Sequence, residues 1–132
     1  MSFDWTEYLH LAKELANQKT DKPSSPEAKY RSSISRAYYA AHGKAKNYLA
    51  SVRNITIPES PEAHQLVIEK FKELGINDNN QQCIDISSSL KTLRTQRNIA
   101  DYKELLRKLN ISSKAILAIS TAEQVITDLS KL

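Results

Sequence analysis

Residues 26–52 read PEAKYRSSISRAYYAAHGKAKNYLASV, and their periodicity points to one long helix. Ile34, Tyr38, Ala41, Ala45, Tyr48 and Val52 recur at steps of four and three, one apolar stripe on a helix of 3.6 residues per turn. That spacing suits packing between near-antiparallel helices. The stretch also carries its own start signal: Ser25 as cap, Pro26 at the first helical position and Glu27 near the positive end of the helix dipole.

Four further helices read outward from it. The first covers about 4–19, with Trp5, Tyr8, Leu9, Ala12, Leu15 and Ala16 on one face; 21–25 is a loop. The third covers about 61–74; Ser60-Pro61-Glu62-Ala63 repeats the start signal, and Gly75 is expected as a left-handed terminator. Asn77-Asp78-Asn79-Asn80 is the next turn. The fourth covers about 81–100, or on to Tyr102. The fifth, about 112–129, starts after Asn110 and buries Ala115, Ala118, Ile119, Ala122, Val125, Ile126 and Leu129. Short connections between amphipathic helices predict an all-α, antiparallel up-and-down four-helix bundle with an additional helix, in one domain over 1–132.

Composition agrees. The chain has 132 residues, room for one core, with 40% hydrophobic and 26% charged residues, the balance of an ordinary globular domain. Two Gly and four Pro are too few for a turn-rich β protein, and three Val against 13 Ala and 14 Leu favours helix. No apolar run reaches a membrane span of roughly 18 residues. The start, MSFDWTEYLHLAKELA, shows no secretory n- or h-region, so a cytoplasmic setting is expected. The one cysteine, Cys83, excludes an internal disulfide and a multi-cysteine zinc site, and it has no activating neighbour in sequence. His10, His42 and His64 fall in no H-x-x-x-H or H-E-x-x-H spacing, so no metal is expected. Two glycines cannot make a glycine-rich phosphate loop, no nucleophile elbow surrounds any serine, and no cofactor is expected.

The net charge of +4 is unevenly placed. Residues 28–58 hold no acid and six bases: Lys29, Arg31, Arg36, Lys44, Lys46 and Arg53. Residues 86–100 hold no acid and three more: Lys91, Arg94 and Arg97. These two stretches carry +9 and the rest of the chain −5, so a polyanion-facing side and a merely solvated helix face both remain open.

Two clusters stand out. On the fourth helix the stripe runs Ile86, Leu90, Leu93, Arg97, Ala100, so Arg97 takes a slot that calls for an aliphatic residue. Arginine keeps its charge on burial and needs an anion or water. Asp101, four residues on, offers an intrahelical pair; a phosphate in a cleft is the other reading. On the second helix Arg31, Ser35, Tyr39, His42 and Lys46 share the side away from the main stripe. They make either a phosphate- and base-binding face or a partly exposed amphipathic one.

SRAYYAA at 35–41 resembles the SRAYYA segment of small prokaryotic HEPN-domain proteins, and RNIADY at 97–102 resembles the R-x-x-A-D-Y ending of a subset of them. His64, ahead of Phe71, fits that subset's short third helix. The resemblance covers nearly the whole chain. It implies a four-helix bundle with an extra helix, paired as a homodimer. It also implies either a metal-independent endoribonuclease of toxin–antitoxin or defence type, or a non-catalytic nucleotide-binding module partnering a minimal nucleotidyltransferase. The family's catalytic motif is an Arg, a polar residue and a later His on one helix, two copies meeting across the dimer. Arg97 and Asn98 match its first two members, and Tyr102 stands where the His is usual. His42-Gly43 stand where relatives often have Phe-His, which turns the imidazole by about 100° around the helix.

In such a site the ribose 2′-hydroxyl attacks its own phosphodiester, an imidazole moves the proton and the arginine stabilises phosphate charge. Tyrosine, with an ordinary pKa near 10, is a poor base at pH 7 but can donate to phosphate or accept a nucleotidyl group. The expected cleft therefore holds Arg97, Asn98, Asp101 and Tyr102 as its chemical centre, with Arg36, Tyr39, His42 and Arg94 as nucleic-acid contacts. The leading expectation is an RNA-directed, ribonuclease-like protein; the alternative is the non-catalytic module.

Overall fold

The computed structural model describes residues 3–17, 26–103 and 110–132. The Ser25 cap, the 21–25 loop and the last two residues expected in the first helix lie outside them. Five helices make up the fold: α1 (Thr6–Asn17), α2 (Pro26–Ser51), α3 (Ala63–Asn77), α4 (Gln81–Tyr102) and α5 (Ile111–Ser130). No strand occurs among the described residues, and none of their helices is long and apolar enough to cross a membrane.

Side-chain contacts give the helix directions. Ser33 Oγ donates to the Ala12 carbonyl at 2.7 Å while Lys44 pairs with Asp4, so α1 and α2 are antiparallel. Arg31 reaches the Ala100 carbonyl and Tyr38 lies under Arg97, so α4 opposes α2. Ile111 and Lys114 adjoin Gln96, Ile99 and Ala100, which starts α5 beside the end of α4. Thus α1, α2, α4 and α5 form the up-and-down bundle. The additional helix is α3. It lies antiparallel to α4, with Ser87 Oγ donating to the Ile68 carbonyl, and parallel to α2, whose Tyr38 and Tyr48 meet His64 and Phe71. Residues 52–62 make the return that a parallel pair requires.

One core joins all five helices, and its largest fully buried side chains include Tyr38, Phe71, Ile34, Leu49 and Leu93. α2 is its axis. Ser33, Ala37, Ala40, Ala41, His42, Gly43 and Ala45 are buried around the helix as well as the expected stripe, because small side chains let four neighbouring helices close in. Of the polar face, Ser35 and His42 are buried, while Arg31, Tyr39 and Lys46 are partly exposed. The stripe also ends early, since α2 stops at Ser51 and Val52 is 58% exposed.

The turn around α3 differs from expectation. Pro61 and Glu62 form a turn ahead of the helix, Ala63 N–H donates to the Ser60 carbonyl, and no side chain caps α3. Gly75 does not terminate it. The helix runs on to Asn77, and the left-handed residue is Asn79 (φ 51°). Gly75 lets α4 approach: a Cβ there would sit 2.4 Å from Ile84 Cγ1 and 2.9 Å from its backbone nitrogen. Asn80 caps α4 by accepting from the Gln82 and Cys83 N–H groups, and Asn110 caps α5 by accepting from Ser113.

Candidate functional site

Arg97 is held on the inward face of α4 by the aliphatic residues one and two turns earlier, Leu93 and Leu90, both buried. It is 8% exposed. Its guanidinium carbon stands 5.3 Å from the Tyr38 ring centre and 5.4 Å from that of Tyr39, the neighbouring pair on α2. Both distances are within cation–π range. Its Nη1 lies 3.6 Å from Asp101 Oδ2, a loose pair, and its Nε is buried with no hydrogen-bond partner. A guanidinium carries five N–H donors, so most of this one's capacity is unused.

Over Arg97 opens a depression of about 430 Å³ lined by Trp5, Tyr8, Ser35, Arg36, Tyr39, Arg97, Asp101 and Tyr102. Of the residues expected at the site, Arg97, Asp101, Tyr102, Arg36 and Tyr39 meet here. Arg36 lies over the Tyr8 ring at 5.1 Å, and Ser35 Oγ donates to Asp101 Oδ2 at 3.4 Å. Tyr102 is 75% exposed at the rim. Asn98 is exposed and does not line the depression. Nor do His42 and Arg94. Arg31, read as part of the polar face, serves the helix end: its Nη1 donates to the Ala100 and Lys103 carbonyls at 2.8 and 2.7 Å. Those are carbonyls left open where α4 ends, so Arg31 fixes the turn that carries Asp101 and Tyr102.

Trp5 reaches the depression because of Gly43. A Cβ at residue 43 would lie 2.1–2.2 Å from the Trp5 indole, so glycine is what seats the ring on α2. Trp5 and Tyr8 meet edge-on at 5.4 Å and extend the aromatic wall. Neither was expected at the site; in sequence they read as apolar positions of the first helix.

Beside the depression a second cluster forms where α2, α4 and the first turn of α3 meet. Tyr38 Oη and His64 Nδ1 are 2.5 Å apart, and the His42 and His64 rings are 4.5 Å apart. Burial holds the Tyr38 hydroxyl well above its ordinary range, against the opposing charges of Arg97 and Arg94, so it stays protonated. Burial, followed by His64 and the charges of Lys46, Arg94 and Arg97, pushes His42 down to about 3. Burial, then Arg97, Arg94 and Lys46, lowers His64. Both imidazoles are neutral at pH 7. The Tyr38 hydroxyl and Nδ1 of His64 thus share one hydrogen bond between neutral groups. The sequence marked His64 only through the resemblance and Tyr38 only as core; that the two meet depends on the parallel packing of α3 on α2.

Among the described residues no group of three or more His, Cys, Asp or Glu could hold a metal ion. No family model, curated protein or solved structure matches this chain.

Proposed function

We propose that the chain is an RNA-directed protein of HEPN type that holds a backbone phosphate at Arg97. The observation that carries this reading is a nine-tenths-buried arginine side chain that lines an open depression with only one loose carboxylate contact. Arginine in a closed core would be fully paired. Here the loose Asp101 contact leaves donors for an incoming anion, and Arg36 adds a second cation at the wall. Tyr39, Tyr8, Trp5 and Tyr102 supply ring faces on which unpaired bases stack. In the metal-independent cleavage the resemblance implies, Arg97 would stabilise charge on a phosphate attacked by the neighbouring 2′-hydroxyl.

One observation favours the non-catalytic alternative, a binding module with a nucleotidyltransferase partner: no imidazole lines the depression, and Tyr102 stands at its rim. Pairing into a homodimer belongs to the same reading. Its support is the set of exposed apolar side chains on two helices, Ile99 and Tyr102 on α4 and Ile116 and Leu117 on α5.

The test is RNA binding and cleavage in EDTA, on a mixed RNA pool, with wild type and Arg97→Ala side by side. Binding by wild type alone is the expected result. Cleavage by wild type alone, leaving cyclic-phosphate ends, adds the ribonuclease activity; binding without cleavage selects the module. Equal binding by both proteins overturns the site.

A further inference from the structure

Positive charge gathers beside the depression with little carboxylate to balance it: Arg97 has the loose Asp101 pair, and Arg94 meets Glu69 only through Gln65. Lys46 lies one turn on from His42, whose ring is 4.5 Å from that of His64. Arg94 bonds Gln65, the residue after His64, and Arg97 stands over the ring of Tyr38, which bonds His64. After burial, the charges of all three lower His64. The same three cations, with His64, act on His42. Among the described residues Lys46 and Arg94 have no carboxylate partner, whereas Lys13, Lys44, Arg53 and Lys70 each have one. Arg94 donates from Nη1 to the neutral Gln65 side chain at 2.9 Å, and its Nε, like that of Arg97, is buried and unpartnered. His64 and Gln65 sit in the first turn of α3, the positive end of a 15-residue helix that no side chain caps.

Such a grouping costs free energy in the empty protein. Three cations repel one another, two neutral imidazoles are held among them, and two buried N–H donors go unused. A bound anion offsets the first two. Its oxygens would meet Lys46 Nζ, the Arg94 guanidinium and the His64 ring, which the Tyr38 hydroxyl holds at Nδ1. Arg97, shared between this cluster and the depression, links the two.

We propose that Lys46, Arg94 and His64 form a second phosphate subsite continuous with the Arg97 depression, so that the ligand is a phosphodiester strand crossing both. This rests on the RNA-directed reading and deepens it. Tyr38 is a positioning residue in this arrangement, acting through its hydrogen bond to His64.

The experiment is proton NMR of the histidine rings, assigned with His10→Gln and His64→Gln variants. Wild type, Lys46→Gln and Arg94→Gln are titrated first with inorganic phosphate and then with a single-stranded RNA octamer. Either ligand is expected to raise the His64 pKa in wild type by roughly one pH unit, since an anion offsets the cations that depress it. Each variant is expected to lose most of that rise. The slope of log affinity for the octamer against log salt is expected to fall by about 0.7 in each variant. A His64 titration indifferent to both ligands, with an unchanged salt slope in Lys46→Gln, overturns the subsite. If the octamer still binds through Arg97 in that case, the RNA reading survives alone. A phosphate response with no octamer binding overturns the strand and the RNA reading together and leaves an anion site.

Discussion

Replacing Arg97 by methionine separates a structural arginine from a functional one. The guanidinium leaves a buried Nε unpaired, at about 1–3 kcal/mol. Against that stand two ring contacts at 5.3 and 5.4 Å, each contributing about 0.5–2 kcal/mol. The Asp101 pair, at 3.6 Å with a 29% exposed carboxylate side chain, adds about 0.5 kcal/mol. These nearly cancel, and methionine keeps the apolar packing of the arginine stem. Arg97→Met should therefore change stability by only about 1 kcal/mol, roughly 3–5 °C in Tm for a domain this size. Leu93→Ala, one turn earlier and fully buried, should cost about 2–5 kcal/mol. RNA affinity should move the other way. One charge-assisted hydrogen bond, about 1.5–3 kcal/mol, corresponds to a loss of about 10- to 150-fold. Thermal melting followed by circular dichroism and anisotropy of a labelled single-stranded RNA give the two readouts. A Tm loss above about 10 °C with Arg97→Met, or an unchanged affinity, refutes the reasoning.

Other perturbations test the surroundings of the site. His42 is held near 3 in the folded state against an ordinary 6.5, so the unfolded chain takes the proton first. The stability His42 contributes is complete above about pH 6.5 and is lost progressively as pH falls towards 3. That is roughly 2 kcal/mol between pH 6.5 and 5, seen by urea unfolding and flattened in His42→Leu. Gly43→Ala should displace the Trp5 indole and cost about 1–3 kcal/mol. Trp5 is the chain's single tryptophan, so its emission should shift to the red. Arg31→Met frees the Ala100 and Lys103 carbonyls. Amide hydrogen exchange at 101–103 should quicken, and RNA affinity should fall with little change in Tm.

The helices and the odd position of Arg97 were legible in sequence for one reason: both rest on the 3.6-residue period, a local property. The stripe through Leu90 and Leu93 placed Arg97 inside before any partner helix was known. Features that depend on which helices touch were not legible. α2 is buried nearly all round because four helices surround it, and its small residues hide that from a reading based on apolar stripes. Gly75 looked like a terminator because glycine serves both left-handed turns and close approaches; the packing of Ile84 decides between them. The Tyr38–His64 contact spans 26 residues and exists because α3 lies parallel to α2. The Trp5 and Tyr8 wall likewise needs Gly43, which belongs to another helix.

The most direct test of the central claim is the salt dependence of single-stranded RNA binding, measured by anisotropy in EDTA for wild type and Arg97→Met. A phosphate held at Arg97 gives wild-type affinity that falls linearly on a log–log plot with salt, and a variant that binds at least about 10-fold more weakly with a shallower slope. Wild-type protein that binds no RNA at low salt, or a variant that matches it in affinity and slope, contradicts the claim.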